Sequence, residues 1–492
     1  MITENSAASV FIPICAGRRT GMWIAMKELR RNMRVVGAIL LILFIGAGAW
    51  FGVTAYKQGD KWASNVYNPR LARTSSNRGD ILDRDGVKLA TTGEDGRRVY
   101  LENTTARRAL SQTVGDTAGM SGAGVETFFS SQLLDISTSL SDRLSEVFSG
   151  SKHVGSSIKI TVDAQLQAYI ASQFPAGYSG AVCVLNYKTG EILAMVSMPN
   201  YDPYQVSASG EGVADTAYLN RCLQGLYTPG SVFKIVTLAS ALENDPTVVD
   251  EAFVCSGTWE YDGGSIVCMS GSTAHGVVSL EKAFEKSCNV TFGKLAYQLG
   301  TDRLAATAER FGFGENFKFG DFMVYNSSFP KNVRNMNGLV WAGIGQSEIL
   351  VTPLHMAMIA GAVANGGAMM QPYLVENIVS SLSSTTHRGQ SKVYRQVMSP
   401  DTAATIAKYM YDTVRSGTAS RAAISGYKVC GKTGSAETSD NKEKETNAWY
   451  AGFVYDDENP YAISVVIEEG GAGGNLASSL SAKALKYAID HV

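Results

Sequence analysis

The longest apolar run in the chain is Val35–Tyr56, 22 residues without a charge. As a helix it is long enough to cross a hydrocarbon core of about 30 Å. Arg18, Arg19, Lys27, Arg30, Arg31 and Arg34 precede it, and Lys57, Lys61, Arg70 and Arg73 follow. The basic excess is on the N-terminal side and, though modest, favours a cytoplasmic N-terminus. Ala47-Gly48-Ala49 resembles a signal-peptide cleavage site, but the apolar run continues through Trp50, Phe51 and Val53. An uncleaved anchor with the bulk of the chain exported is expected. Residues 1–21 read as a loose extension, with Met22 and Met26 as alternative starts of translation.

Past the anchor, residues 77–90 read as a strand between two turns, and Gly124-Val125-Glu126 precedes a short helical pattern. The stretch to about residue 150 is rich in Ser, Thr and Gly and holds no catalytic-looking cluster. Ile158–Asp163 alternates as a strand, and Asp163 is placed to cap a helix over Ala164–Phe174. Gly180–Leu185 and Glu191–Ser197 are apolar strands around the turn Asn186–Gly190, a hairpin by turn chemistry. Helical spacing follows at Ile235–Leu242, at 279–300 with a break at Ser287-Cys288-Asn289, and over Leu339–Gly366 with a start signal at Thr352-Pro353. The Ser/Thr-rich stretch 380–390 is expected to be a loop tip, and Thr402–Val414 a helix. Tyr427–Cys430, Ala448–Val454 and Tyr461–Glu468 read as strands, closed by a helix over Leu476–His491. No internal repeat is visible. This order fits an α+β chain, an antiparallel sheet flanked by helices, better than alternating βαβ units. The expected organisation is a cytoplasmic segment 1–34, an anchor 35–56, a pedestal or interaction module 57–155 and a large domain 156–492.

A net charge of -2 over 492 residues, with pI near 6.3, leaves no basic footprint for nucleic acid. Seven cysteines is an odd number for an exported chain. Cys15 would remain cytoplasmic. Cys255 and Cys268 flank the turn Asp262-Gly263-Gly264, and whether they form a disulfide is open. Adding His275 gives three residues of metal-ligating type, but no fourth donor stands at a suitable spacing, so no metal is expected. Cys183, Cys222, Cys288 and Cys430 sit in apolar or motif-adjacent runs and are expected to be small buried residues.

The chemistry gathers around Tyr227-Thr228-Pro229-Gly230-Ser231-Val232-Phe233-Lys234. Pro229 and Gly230 break the chain ahead of the apolar run, which sets Ser231 near a helix start with Lys234 three residues on. A serine hydroxyl is a weak nucleophile, and a lysine that sheds its proton on burial is a base for it. The spacing alone proves little, since Ser-x-x-Lys recurs at Ser149, Ser156, Ser279, Ser328, Ser425 and Ser439. Two further motifs follow in order. Ser287-Cys288-Asn289 offers a hydroxyl that relays a proton and an amide that holds a carbonyl. Lys432-Thr433-Gly434-Ser435 closes a strand whose edge could pair with an extended peptide. There Lys432 and Thr433 would meet a carboxylate, Gly434 admits the ligand closely, and the Ser435 N–H serves an oxyanion.

Ser-x-x-Lys, Ser-x-Asn and Lys-Thr-Gly in this order form the signature of penicillin-binding proteins and class A β-lactamases. The flanking runs Gly190–Ser197, Asn220-Arg221, Gly345-Gln346, Thr352-Pro353 and Gly431–Ala436, with Arg78–Ala90 after the anchor, resemble a class B penicillin-binding protein over roughly residues 70–492. The chain is shorter than many class B members and shows no appended C-terminal module, which resembles the compact penicillin-binding protein A-like subgroup. Ser435 stands where many members carry threonine. The resemblance implies a D,D-transpeptidase that cross-links peptidoglycan stem peptides, binds β-lactam antibiotics and needs no cofactor. It implies Ser231 as nucleophile on the penultimate D-Ala carbonyl and Lys234 as its base. Ser287 and Lys432 would arrange proton transfer to the leaving D-Ala, and Asn289 would orient the substrate. By analogy the partners are lipid-linked precursor-derived glycan and a polytopic glycan polymerase, met through the anchor and pedestal.

The rival readings are weaker. Gly426–Thr433 matches the phosphate-loop pattern Gly-x₄-Gly-Lys-Thr, but such a loop needs a helix after it, and residues 435–447 are polar and loop-like. A penicillin hydrolase needs a base for deacylating water, and no Glu-x-x-x-Asn-like stretch between Asn289 and Lys432 clearly offers one. A D,D-carboxypeptidase shares the chemistry, and a silent scaffold would not need three intact motifs.

Overall fold

A computed structural model of the chain describes residues 17–63, 78–134, 155–206, 213–268, 274–320, 322–330, 335–380, 385–437 and 446–492. The chain divides into two compact units, Met1–Asn65 and Val66–Val492. In the first, one helix runs from Gly17 to Ala63. It contains Leu29–Thr54, 26 residues long and apolar enough to cross a membrane. At 1.5 Å per residue this span is about 39 Å long, more than the hydrocarbon core requires. Most of the loose extension expected over residues 1–21, up to residue 16, lies outside the described residues.

The second unit is built on a five-stranded antiparallel sheet in the spatial order 429–436, 447–454, 461–467, 180–186, 192–198. The hairpin expected at its far edge forms: Asn186 Oδ1 accepts from the Lys188 and Thr189 N–H groups at 2.9 and 3.1 Å. Gly190 closes the turn at φ +88, a conformation open to glycine at no steric cost. Because side chains alternate across a strand, each strand feeds two cores. Val182, Val184, Val465 and Ile467 enter one, beneath the helices Ala164–Gln173 and Leu476–His491. Cys183, Leu185, Ala462 and Val466 enter the other, with Pro353–Ala364, Pro400–Ser416 and Lys234–Asn244. Both expected caps are present: Asp163 accepts from Leu166 N at 2.7 Å, and Thr352 from His355 N at 3.3 Å.

A second sheet of six short strands has the order 385–388, 375–379, 157–160, 81–82, 88–92, 98–100. Glu126 anchors its N-terminal part. It is buried and takes Arg78 at 2.8 Å and Arg98 at 2.5 Å. Two sequence expectations change here. Thr385–Arg388, in the stretch read as a loop tip, is a strand paired with Val375–Val379. The strand read as Tyr427–Cys430 runs instead over Val429–Ala436, so the Lys-Thr-Gly motif lies inside it rather than at its end.

Candidate active site

The chain break at Pro229 folds as predicted in outline but not in detail. Gly230–Phe233 is a single 3₁₀ turn, and the α-helix begins at Lys234. Gly230 sits at φ +57, where an added Cβ would lie 2.6 Å from the Ser435 carbonyl oxygen. The turn is therefore pressed against the Lys-Thr-Gly strand, with Ser231 at the floor of the resulting cleft. The segment before it is braced from two sides. Glu468 Oε1 accepts from Arg221 Nε at 2.8 Å and from Tyr227 OH at 2.7 Å, and Trp449 Nε1 donates to the Thr228 carbonyl at 3.0 Å.

The three motifs meet. Lys234, 0 % exposed, donates to Asn289 Oδ1 at 2.7 Å, to the Ser287 carbonyl at 2.8 Å and to Ser287 Oγ at 3.2 Å. Lys432, also 0 % exposed, donates to the same Ser287 Oγ at 2.9 Å. Ser287 occupies the left-handed region at φ +55, held there by its N–H on the Phe284 carbonyl at 3.0 Å. Asn289 opens the helix Asn289–Arg310, and its Nδ2 donates to the Val267 carbonyl at 3.0 Å. Among the described residues no hydrogen bond joins Lys234 to Ser231. The lysine is held by the Ser-x-Asn motif instead, one turn from the hydroxyl it was expected to cover.

Burial sets the protonation. It pushes the Lys234 amine down to about 7, against the opposing pull of the nearby Cys288 and Cys268. Lys432 is held well below the ordinary lysine range, first by burial and then by the charge of Lys234. Two buried amines around one hydroxyl make a relay in which a proton can change hands without solvent.

Ser231, Ser287, Thr433, Gly434 and Ser435 line one cavity of about 390 Å³. It also takes in His275, Lys286 and Thr418, three residues the motifs did not reveal. Thr418 is oriented by the Thr433 hydroxyl, which donates to it at 2.8 Å. Gly345 and Gln346 close the back. The Gly230 N–H donates to the Gly345 carbonyl at 2.8 Å, and Gln346 Nε2 to the Ser435 carbonyl at 3.4 Å. The strand Val429–Ala436 is the sheet's edge strand, and the next described element is the strand Asn447–Val454. A phosphate loop needs a helix to begin at its Lys-Thr pair, and Lys432 and Thr433 lie inside the strand instead.

Cys288 is buried, as expected, and in addition shares a cluster with Cys255, Cys268 and His275 in which all ligand atoms lie within 4.8 Å of one another. The fourth donor missing from the local spacing comes from the Ser-x-Asn loop. Cys255 and Cys268 are free thiols with sulfurs 3.5 Å apart.

A buried lysine pair bridged by a serine, on the inner edge of an antiparallel sheet with a serine turn against it, marks a class: the serine acyl-transfer fold of penicillin-binding enzymes. Residues 180–488 match the penicillin binding protein transpeptidase domain, and the chain belongs to that family. It is 29 % identical to peptidoglycan D,D-transpeptidase PbpA of Mycolicibacterium smegmatis, across 94 % of this chain and 99 % of the relative. Stage V sporulation protein D of Bacillus subtilis is 31 % identical over 64 % of this chain and 50 % of its own length. Among solved structures, penicillin-binding protein A of M. tuberculosis as a cephalosporin acyl-enzyme superposes with a TM-score of 0.77 at 28 % identity, covering 85 % of this chain and 99 % of that one. The D,D-transpeptidase domain from Eggerthella lenta gives 0.71 at 29 % identity, with the same coverages. The class B resemblance read from the motifs is thus borne out.

Proposed function

We propose that this chain is a membrane-anchored peptidoglycan D,D-transpeptidase, sensitive to penicillin, in which Ser231 is the acylated residue. The observation that carries the reading is the hydrogen-bonded cluster Lys234–Ser287–Lys432 with Asn289, whose Ser287 lines one cavity with Ser231. The relatives named for this activity, and the neighbour solved as an acyl-enzyme, support it.

In the first step Ser231 Oγ bonds to the penultimate D-Ala carbonyl carbon and its proton passes to Lys234. The C–N bond to the terminal D-Ala breaks, and the relay of Lys234, Ser287 and Lys432 delivers a proton to the departing amine. The N–H groups of Ser231 and Ser435 receive the oxyanion, Asn289 orients the peptide, and Lys432 with Thr433 meets the terminal carboxylate. Gly434 lets the Ser231 turn approach the strand closely: a Cβ there would come within 2.9 Å of the Pro229 carbonyl oxygen. An amine of a second stem peptide then attacks the ester and returns the proton to Ser231.

The catalytic domain, residues 156–492, acts outside the membrane, with residues 1–34 in the cytoplasm and 57–155 as a pedestal. The partner is a polytopic glycan polymerase, met through the anchor and pedestal, and the substrate is the lipid-linked precursor-derived glycan it makes. The full chain in detergent, given a D-Ala-D-Ala peptide and an amine acceptor, is expected to release D-Ala and form the new amide. Hydrolysis alone would make it a carboxypeptidase. Turnover of penicillin would make it a hydrolase, and inertness of the folded chain would leave a scaffold.

A further inference from the structure

We infer that Cys255, Cys268, His275 and Cys288 form a closed tetrahedral site for a thiophilic divalent cation, zinc above all, and that the bound ion fixes the Ser-x-Asn loop. The four donors come from separate places. Cys255 ends the strand Ala252–Cys255, Cys268 follows the strand Gly264–Val267, and His275 precedes Gly276–Ser279, which pairs with the Cys255 strand. Cys288 is the N-cap of the helix Asn289–Arg310 and the central residue of Ser287-Cys288-Asn289.

Their spacing is that of ligands around an ion. Zinc–sulfur and zinc–nitrogen bonds of about 2.3 and 2.1 Å in a tetrahedron put donor atoms roughly 3.5–3.8 Å apart. Four of the six separations are 3.5 Å for Cys255–Cys268, 3.6 Å for Cys268–Cys288, 3.4 Å for Cys255–His275 Nδ1 and 3.7 Å for Cys268–His275 Nδ1. The other two, from Cys288 to Cys255 and to His275, lie within 4.8 Å, so a small inward shift of Cys288 completes the shell. Three thiols and an imidazole on so small a sphere gain little from one another as hydrogen-bond partners, since sulfur donates and accepts weakly. As thiolates around a cation they gain a full coordination shell. The second shell suits a thiolate: Cys288 Sγ accepts from Thr291 N at 3.4 Å and Thr291 Oγ1 at 3.3 Å, at the positive end of a helix that runs unbroken from Asn289 to the kink at Gly300.

Four protein ligands leave no position for substrate, so the ion is structural rather than Lewis-acidic. Its effect falls on the neighbours of its ligands. Ser287 and Asn289 flank Cys288, and Asn289 Nδ2 is tied to Val267, the residue before Cys268. Binding releases the thiol protons to solvent and pins the loop that holds both lysines.

The full chain, expressed with zinc present and purified in detergent, is expected to carry one zinc per chain by elemental analysis. Cobalt substituted for it is expected to give the visible bands of tetrahedral sulfur ligation. His275→Gln, at a half-exposed position, is expected to lose the ion to a chelator far faster while remaining folded by circular dichroism. Chelation of the wild type is expected to slow β-lactam acylation roughly tenfold or more, restored by zinc. That last arm rests on the proposed function, whereas metal content, cobalt spectrum and chelator kinetics do not. A metal-free chain with titratable Cys255, Cys268 and Cys288 thiols after zinc loading would overturn the inference, as would a Cys255–Cys268 disulfide found by mass.

Discussion

Lys432 Nζ donates a hydrogen bond to Ser287 Oγ at 2.9 Å, across 145 residues of sequence. The same oxygen accepts from Lys234 at 3.2 Å, so one hydroxyl at the wall of the cavity joins both amines. Ser287→Ala removes the one group that both amines share. Proton transfer of this kind contributes about 10²–10⁴ in rate. Acylation by a β-lactam, followed under pseudo-first-order conditions, is expected to slow by that order, with Ser231 still the labelled residue.

The lowered Lys234 amine fixes the pH profile. A base must be neutral to accept the Ser231 proton, and burial brings this amine to about 7. The acylation rate is therefore expected to rise with pH through about 7 and then level, and to fall below that as the amine binds its proton. Lys234→Arg keeps the charge at every pH and is expected to abolish acylation. Stopped-flow acylation between pH 5.5 and 9 checks both; a flat profile would remove Lys234 from the role.

Gly230 and Gly345 lie back to back. Gly345 is at φ +80, and a Cβ there would stand 1.9 Å from the Gly230 carbonyl oxygen. Gly345→Ala must displace the turn that carries Ser231 and is expected to cost on the order of 2 kcal/mol or more. A lower thermal midpoint together with slower acylation is the expected outcome.

His355 is wholly buried, with Nδ1 on Ser327 Oγ and Nε2 on the Phe311 carbonyl, both at 2.8 Å. Burial holds its imidazole down to about 4. The unfolded chain binds this proton near 6.5 and the folded chain only near 4, so stability is complete above about 6.5 and is lost as pH falls toward 4. The full loss is roughly 3 kcal/mol at 1.36 kcal/mol per unit. Denaturant midpoints between pH 7 and 4.5 are expected to fall less steeply in His355→Gln.

Much of this was legible in the sequence. The strands around 180–198 and 447–467 announce themselves by apolar runs between turn residues, and the three motifs gave the residues of the relay. What escaped depends on long-range packing. Lys432 to Ser435 are expected at the end of a strand, yet they lie inside one because the helix Pro400–Ser416 and the Ser231 turn pack on them. Thr385–Arg388 carries no apolar signal and becomes a strand by pairing with Val375–Val379. The Lys234–Ser231 proximity followed from helix spacing, but spacing could not say that Asn289 and Ser287 would hold the amine. Cys288 joins Cys255 and Cys268 only through the fold, since nothing local links residues 20 and more apart.

The most direct test is to label the purified full-length chain with a fluorescent β-lactam and map the adduct by peptide mass. A stable adduct on the peptide containing Ser231, absent in a folded Ser231→Ala variant, is the expected result. Retained labelling in that variant, or no adduct on a demonstrably folded wild type, would contradict it.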